Sequence, residues 1–327
     1  MRLATRLHSA SRISPAEPCR RSGAVEHARV QQLPEWFRPG DVLVLNNSKR
    51  IPGVLRGRTS RGGQVELRFV ELDDDDPATG LCRIFPMHDI APGQVVALAD
   101  RVQVEVLRLG LTQHGLARVR VEGRALRETL VTLGEPILGF FYDGKWHCEN
   151  LNPFYATEEG TVESPLAGLH LTPELVSAVE AKGARICFVT LHSVGSWLPF
   201  LEDQVADHEM WPEQYTVPEQ TAEIVNGSRA AGGRIFACGS TSLRALESAA
   251  SEDGVLHPQR GRTRLYISPQ YRFRVVDAYF TNFHQQRTSM LVLDAAFAGT
   301  DLVMRAYREA VARNYSFFEF GDAVLML

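Results

Sequence analysis

The segment Arg234-Ile-Phe-Ala-Cys-Gly-Ser-Thr-Ser-Leu-Arg-Ala-Leu-Glu-Ser248 decides the fold of this chain. Its first residues are mostly apolar and follow two glycines, which predicts a buried strand over 234–238. A helix is predicted over 242–250, directly after that strand. The turn 239–242 therefore presents hydroxyl groups and free backbone N–H groups at one point, where a carboxylate or phosphate fits. The same turn is equally typical of a simple helix N-cap.

Strands and helices alternate on both sides of this segment. Thr172 is predicted to cap a helix that has Pro173 at its first position and ends at Gly183. The remaining pattern predicts strands at 41–46, 184–191 and 274–280, and helices at 124–133, 218–231 and 301–314. Such alternation is typical of an α/β layer with a largely parallel sheet.

Residues 52–126 have a different pattern, with short runs of alternating apolar and polar residues separated by Gly, Pro and Asp. Runs of this kind predict a small β-barrel or sandwich. The run Asp73-Asp74-Asp75-Asp76-Pro77 is interpreted as a solvent-facing turn rather than a metal site. The simplest organisation is an α/β domain formed by 1–51 and 127–327, interrupted by a β-rich insertion at 52–126.

Composition narrows the class of protein. The 327 residues are 44% hydrophobic and 23% charged, with a net charge of −4, and no apolar run is long enough to span a bilayer. The five cysteines are scattered without a Cys-x-x-Cys pair, which fits a reducing cytoplasm and no zinc site. Residues 1–65 hold 12 Lys and Arg against 4 Asp and Glu; this surplus fits RNA phosphates, or equally a solvated face without a partner.

Histidines follow several of the predicted strands and loops. His192 and His284 follow the strands at 184–191 and 274–280, whose carboxyl ends are where α/β sheets bind ligands. With His170 and His208 they can serve proton transfer, or each can be a satisfied structural residue. A metal site is disfavoured because no short ligand spacing such as His-x-x-x-His occurs. The absence of both Gly-rich nucleotide motifs argues against P-loop and Rossmann enzymes.

A series of motifs resembles one family. Pro39-Gly-Asp-Val-Leu-Val-Leu-Asn46, Ala167-Gly-Leu-His-Leu-Thr172, Thr190-Leu-His192, 239–248, Tyr271-Arg-Phe-Arg-Val-Val-Asp277, Thr281-Asn-Phe-His284 and Gly321-Asp322 are similar, in order, to the S-adenosylmethionine:tRNA ribosyltransferase-isomerase family of queuosine biosynthesis. The resemblance implies an α/β domain with an inserted β-barrel. It also implies transfer of the ribosyl part of S-adenosylmethionine to the aminomethyl group of a deazaguanine base in tRNA. Adenine and methionine leave, epoxyqueuosine forms, and no metal is required.

The resemblance also suggests roles for individual residues. Proton transfer would fall to His170, His192, His208 and His284. S-adenosylmethionine would be held by Thr172, Gly239, Thr241, Ser242, Arg244, Asp277 and Asn282. Substrate amine and hydroxyl groups would be held by Glu202, Asp203, Glu213 and Tyr271.

Four segments depart from the family pattern, namely 136–142, 163–166, 193–197 and 285–289. The residues expected to bind S-adenosylmethionine therefore match the family pattern more closely than the residues expected to surround the acceptor. Alternatives to a tRNA acceptor are a small-molecule amine, or a non-catalytic adenosine-ligand or RNA-binding protein. We further expect a monomer and no membrane association.

Overall fold

The computed structural model describes residues 2–4, 23–73, 75–87, 90–138, 147–195, 198, 200–318 and 320–327. Residues 1 and 5–22 of the basic segment 1–65, Asp74, and parts of the divergent segments at 136–142 and 193–197 lie outside the described residues.

The described chain contains seventeen strands and six α-helices. The strands are β1 (Arg2–Ala4), β2 (His27–Arg29), β3 (Val42–Asn46), β4 (Ser48–Arg50), β5 (Val54–Thr59), β6 (Gln64–Leu72), β7 (Thr79–Phe85), β8 (Val95–Ala97), β9 (Gln103–Leu111), β10 (Leu116–Val121), β11 (Glu158–Thr161), β12 (Arg185–Leu191), β13 (Glu213–Val217), β14 (Ile235–Cys238), β15 (Gln259–Thr263), β16 (Ala278–Asn282) and β17 (Ala323–Met326). The helices are α1 (Leu126–Leu133), α2 (Pro173–Ala181), α3 (Glu219–Ala230), α4 (Gly239–Ala249), α5 (Ser289–Ala298) and α6 (Thr300–Ala312).

The α/β part is built on a nine-stranded sheet with the order β15-β13-β12-β3-β14-β16-β17-β1-β2. The four central strands β12, β3, β14 and β16 run parallel, and β17 and β1 also pair parallel. The pairs β12–β13, β13–β15, β16–β17 and β1–β2 are antiparallel. The sheet is therefore mixed, and the prediction of a largely parallel sheet is wrong outside its centre. Strands from both ends of the chain form it, which confirms the predicted α/β architecture.

Both faces of the sheet are covered. Along β3, Val42 and Val44 belong to the core that the sheet shares with α3, α4, α5 and α6 on one face, and Leu43 and Leu45 belong to the core that it shares with α2 and a 3-10 helix on the other. All four side chains are at most 1% exposed. Because successive strand residues point to opposite faces, a strand buried on both sides is a continuous apolar run, as the sequence of β3 is.

The insertion is a closed antiparallel barrel of six strands, β10-β7-β6-β5-β8-β9. Its interior is apolar, and Leu55, Leu67, Phe69, Val104 and Val119 are fully buried there. The structure therefore selects the barrel over the sandwich. The strands of the barrel fall within the predicted insertion 52–126; the domain boundaries themselves remain a prediction.

The predicted ends of α2 are confirmed. The Thr172 side chain accepts a hydrogen bond from the backbone N–H of Leu175 at 3.2 Å. Gly183 has φ +82°, and a Cβ there would stand 3.0 Å from Pro39. Glycine therefore closes this helix for both conformational and steric reasons.

Two predicted elements have different bounds, and one helix was missed. Helix α4 begins at Gly239, so the predicted turn is its first turn. The predicted strand 274–280 is displaced to 278–282 because the carboxylate of Glu247 binds the chain before it: Oε1 accepts the N–H groups of Val275 at 3.1 Å and Val276 at 3.0 Å. Helix α5 is apolar on every side, so its sequence lacks the amphipathic period that indicates a helix.

Candidate functional site

A cavity of about 350 Å³ lies where the carboxyl ends of the parallel strands meet the barrel. Residues that follow β12, β14 and β16 form one side, and residues of β4 and β6 form another. Its described polar lining includes Arg50, Arg68, Glu163, Thr241, Arg244 and His284. This is the sheet edge at which ligands of α/β proteins collect.

The first turn of α4 forms one wall of the cavity. Gly239 has φ +85°, which lets the chain turn from β14 into the helix without the strain that a side chain would add. Within the described part of the chain, the buried hydroxyl of Thr241 has no hydrogen-bond partner. This turn points free backbone donors and a hydroxyl into the cavity, an arrangement suited to an anionic group.

Arg244 lies one turn further along α4 and is 6% exposed. Its Nη1 donates to Glu213 Oε2, and its Nε donates to the carbonyl of Leu265 at 3.1 Å. The remaining Nη2 is buried and has no partner among the residues that the structure describes. Glu213 is 2% exposed and lies behind Arg244, so it holds the guanidinium in place rather than lining the cavity.

Two further guanidinium groups lie on the side of the barrel. Arg50 is 5% and Arg68 7% exposed, and they donate to the carbonyls of Ile137 and Leu138. Glu163 is the one acidic residue in the described lining. Behind the lining, Glu66 pairs with Arg68 and Glu213 with Arg244, so Arg50 and Arg287 supply the positive charge that favours anionic ligands.

His284 lies just after β16 and lines the cavity. Its Nδ1 lies 2.9 Å from Asp294 Oδ2, and its Nε2 lies 3.2 Å from Thr281 Oγ1. The hydroxyl of Tyr307 accepts the backbone N–H of His284 at 2.8 Å and donates to Asp294 Oδ2 at 2.9 Å. Burial raises the pKa of Tyr307 well above its usual value, so the hydroxyl stays a donor. His284 is held through both its ring and its backbone.

His170 lies outside the described lining, in a 3-10 helix (Leu166–His170). It is 5% exposed, and its ring packs edge-on against Phe280 at 5.7 Å. Burial lowers the pKa of His170 to about 4, and this outweighs the opposing effects of a hydrogen bond with Asn282 and the charge of Asp322. The ring is therefore neutral near pH 7, and its position fits a structural role better than the expected catalytic one.

This burial predicts a pH dependence of stability. The pKa of His170 falls from 6.5 to about 4 on folding, so its neutral form stabilises the fold fully above pH 6.5, and this contribution is lost between pH 6.5 and 4. We expect the melting temperature of the wild type to fall more steeply over this interval than that of a His170→Gln variant, measured by calorimetry. Parallel curves for the two proteins would contradict the assignment.

His208 and His192 also lie outside the described lining. His208 stacks on Phe200 at 3.8 Å and pairs with Glu202 at 3.2 Å, beside Tyr266, which does line the cavity. Burial opposes ionisation of Glu202, but hydrogen bonds from its own backbone N–H and from His208 lower its pKa to about 2. His192 packs against Gly160, and burial lowers its pKa, while its neighbour Ser193 lines the cavity instead.

Several predicted binding residues have structural partners elsewhere. Thr172 caps α2, and the Ser242 hydroxyl donates to the carbonyl of Cys238 at 2.6 Å. Asp277 accepts the N–H of Ile235 at 2.8 Å, at the amino end of the parallel strands and so at the opposite edge of the sheet. Tyr271 donates to Glu247 at 3.1 Å. Asp203 is exposed.

The structure thus brings together Gly239, Thr241, Arg244, Asn282 and His284 of the predicted set. Sequence reasoning missed Arg50, Arg68, Glu163, Asp294 and Tyr307. Arg287 was missed as well, and Glu163 and Arg287 alone had a signal, because they lie in segments that depart from the family pattern. These segments, 163–166 and 285–289 in particular, line the cavity.

The described residues also lack the features of two other classes of protein, membrane proteins with spanning helices and metalloproteins. No helix among the described residues is both long and apolar enough to cross a membrane. In the described ranges, no group of three or more His, Cys, Asp or Glu side chains is placed to hold a metal ion. That no metal is needed therefore remains a prediction.

Comparisons with known proteins agree on one family. The model of the family described as "Queuosine biosynthesis protein" matches residues 6–326. S-adenosylmethionine:tRNA ribosyltransferase-isomerases are similar, one from Symbiobacterium thermophilum at 39% identity over 94% of this chain and 91% of that protein, and one from Thermus thermophilus at 40% over 93% and 89%. The crystal structure of the S-adenosylmethionine tRNA ribosyltransferase from Thermotoga maritima is similar with a TM-score of 0.50 and 30% identity, over 98% of this chain and 96% of that one.

Proposed function

Because the chain belongs to the S-adenosylmethionine:tRNA ribosyltransferase-isomerases of the queuosine biosynthesis family, we propose that the cavity at the carboxyl edge of its sheet is the active site. The enzyme uses S-adenosylmethionine as co-substrate and forms epoxyqueuosine in tRNA. In this reaction the ribosyl part joins the aminomethyl group of a deazaguanine base, and adenine and methionine leave. The curated relatives carry the name of the tRNA enzyme, which favours tRNA over a small-molecule amine.

One observation supports the proposal most strongly. Arg244 and Thr241 line the cavity, and Nη2 of the first and Oγ1 of the second are buried without a partner within the described residues. Leaving a buried donor unsatisfied costs about 1–3 kcal/mol, so such groups indicate a ligand. A guanidinium next to a helix N-terminus suits the methionine carboxylate of S-adenosylmethionine, while a hydroxyl and free N–H groups suit that carboxylate or the ribose.

His284 is the candidate for proton transfer. The sulfonium acidifies the 5′ carbon of the ribose, so the reaction needs a base near that carbon. Of the four predicted histidines, His284 is the one in the described lining, and its Nε2 lies on the side of Thr281 rather than of the buried Asp294. We therefore assign the proton abstraction to His284 Nε2, and not to His170, His192 or His208.

The other side of the cavity is proposed to receive the acceptor. Arg50, Arg68 and Arg287 line it and suit the phosphates that flank a tRNA base. Glu163 suits the aminomethyl group, because a carboxylate holds an amine by a charge-assisted hydrogen bond. No metal ligand is assigned, and a monomer is expected.

Adenine release tests the proposal. The enzyme is incubated with S-adenosylmethionine and either tRNA carrying the aminomethyl-deazaguanine base or a free small amine. We expect adenine in proportion to the tRNA and none with the amine alone. Adenine release only with the amine would show that the acceptor is a small amine and not tRNA. No release in either case would favour a non-catalytic protein.

A further inference from the structure

The hydrogen bonds behind His284 form a closed ring. The backbone N–H of His284 donates to Tyr307 Oη, Tyr307 donates to Asp294 Oδ2, and the same Oδ2 lies 2.9 Å from His284 Nδ1. The ring therefore joins residues of α5 and α6 to the end of β16. Three short hydrogen bonds hold one histidine at two points, its backbone and its imidazole.

This ring determines which imidazole nitrogen carries the proton. Tyr307 Oη already accepts a hydrogen bond from His284, so its own proton goes to Asp294. The carboxylate oxygen is an acceptor, so the imidazole nitrogen that faces it, Nδ1, must be the donor. The neutral ring then has its lone pair on Nε2, which accepts a hydrogen bond from the Thr281 hydroxyl, 3.2 Å away in the lining of the cavity.

Asp294 is otherwise a costly residue at its position. It is fully buried in a helix whose other residues are mostly apolar, and no partner of its second oxygen, Oδ1, occurs among the described residues. Burial of a carboxyl group in such surroundings costs several kcal/mol unless it is hydrogen-bonded. A fold that needed only packing there would be better served by an apolar side chain.

We infer that Asp294, with Tyr307, is a positioning residue that fixes His284 in the tautomer whose Nε2 carries no proton. The inference rests on the proposed function, in which His284 Nε2 removes a proton from the substrate. Asp294 does not touch the substrate. Its effect should therefore appear in the chemical step and in the state of the imidazole, with little change in the binding of S-adenosylmethionine.

The test uses Asp294→Leu as the main variant, because it removes both hydrogen bonds that Oδ2 accepts, whereas asparagine could keep both through its one oxygen. We expect kcat to fall about a hundredfold and KM for S-adenosylmethionine to stay within threefold of the wild type. If Asp294→Leu does not fold, the smaller Asp294→Ala decides, with a fall of at least tenfold. Asp301→Asn, at an exposed acid in the first turn of α6, is the matched control and should leave both constants unchanged.

A second measurement reads the tautomer directly. Nitrogen-15 NMR of histidine-labelled enzyme, with His284 assigned by difference from His284→Gln, should show the proton on Nδ1 in the wild type. In Asp294→Leu, or in Asp294→Ala if Asp294→Leu does not fold, the Nε2–H form should gain population.

The possible outcomes separate the inference from the proposed function. Wild-type kcat in Asp294→Leu, or a rise of KM as large as the fall of kcat, would overturn the inference. An unchanged tautomer in the NMR variant would do the same. Wild-type turnover in His284→Gln would instead show that His284 does not abstract the proton, which contradicts the proposed function.

Discussion

A His284→Gln variant is expected to lose about a thousandfold in kcat, while KM for S-adenosylmethionine stays within a few-fold of the wild type. General base catalysis contributes roughly 10²–10⁴-fold, and glutamine keeps the size and hydrogen-bonding capacity of the side chain without its basicity. The position near Thr281 and the backbone bond to Tyr307 are both available to glutamine. Steady-state rates of adenine release with tRNA in excess measure the effect.

The control for this variant is His257→Gln, which changes an exposed histidine. It should leave kcat and KM unchanged. A His284→Gln enzyme whose kcat lies within threefold of the wild type would show that another group removes the proton. The cavity would then stand as a binding site whose base lies elsewhere.

Removal of Arg244 is expected to have the largest effect on stability. Arg244→Met leaves Glu213 as an uncompensated charge at 2% exposure, and breaking a buried ion pair from one side costs about 3–5 kcal/mol. The same change removes the free Nη2 donor from the cavity, so KM for S-adenosylmethionine should also rise. Chemical denaturation gives the free energy of unfolding, and initial rates give KM.

A double variant separates these two effects. Arg244→Met with Glu213→Gln leaves no buried charge, and the amide oxygen can still accept the N–H of Val194, which Glu213 accepts at 3.3 Å. We expect it to regain most of the lost stability and to keep the raised KM. A double variant that regains wild-type KM as well would show that Arg244 is structural and does not bind the ligand.

Local sequence signals predicted the elements whose stability is local. The strand β3 and the helix α2 were predicted almost to the residue, since an apolar run between turn formers defines the first, and a Thr-Pro start and a Gly stop define the second. The barrel was likewise visible as short alternating runs, although alternation alone did not separate it from a sandwich.

Elements that depend on distant partners were predicted less well. The displaced strand β16 is set by Glu247, a residue of α4 whose carboxylate holds the preceding chain, and no pattern near 274–280 reveals that contact. Helix α5 has one local signal in the sequence, Thr288, whose hydroxyl accepts the N–H of Leu291 at 3.3 Å as an N-cap.

The residues of the site also divide into those that sequence motifs predicted and those that depend on distant partners. Motif order pointed to Thr241, Arg244, Asn282 and His284, which the structure brings to one cavity. Asp277 and Tyr271 belonged to the same motifs, yet their hydrogen bonds hold the backbone of β14 and the carboxylate of Glu247. Some residues of a shared motif therefore line the cavity, whereas others stabilise the fold. The hydrogen bonds of Asp294 with His284 and Tyr307 are visible only in the structure, because no sequence motif contains Asp294.

Isotope tracing tests the central claim most directly. The enzyme is given tRNA with the aminomethyl-deazaguanine base and S-adenosylmethionine that carries carbon-13 either in the ribose or in the methyl group. Mass spectrometry of the digested tRNA should find all five ribose carbons in the modified nucleoside, with the methyl label in the released methionine. Methyl label in the nucleoside, or ribose label that stays with adenine, would contradict the account.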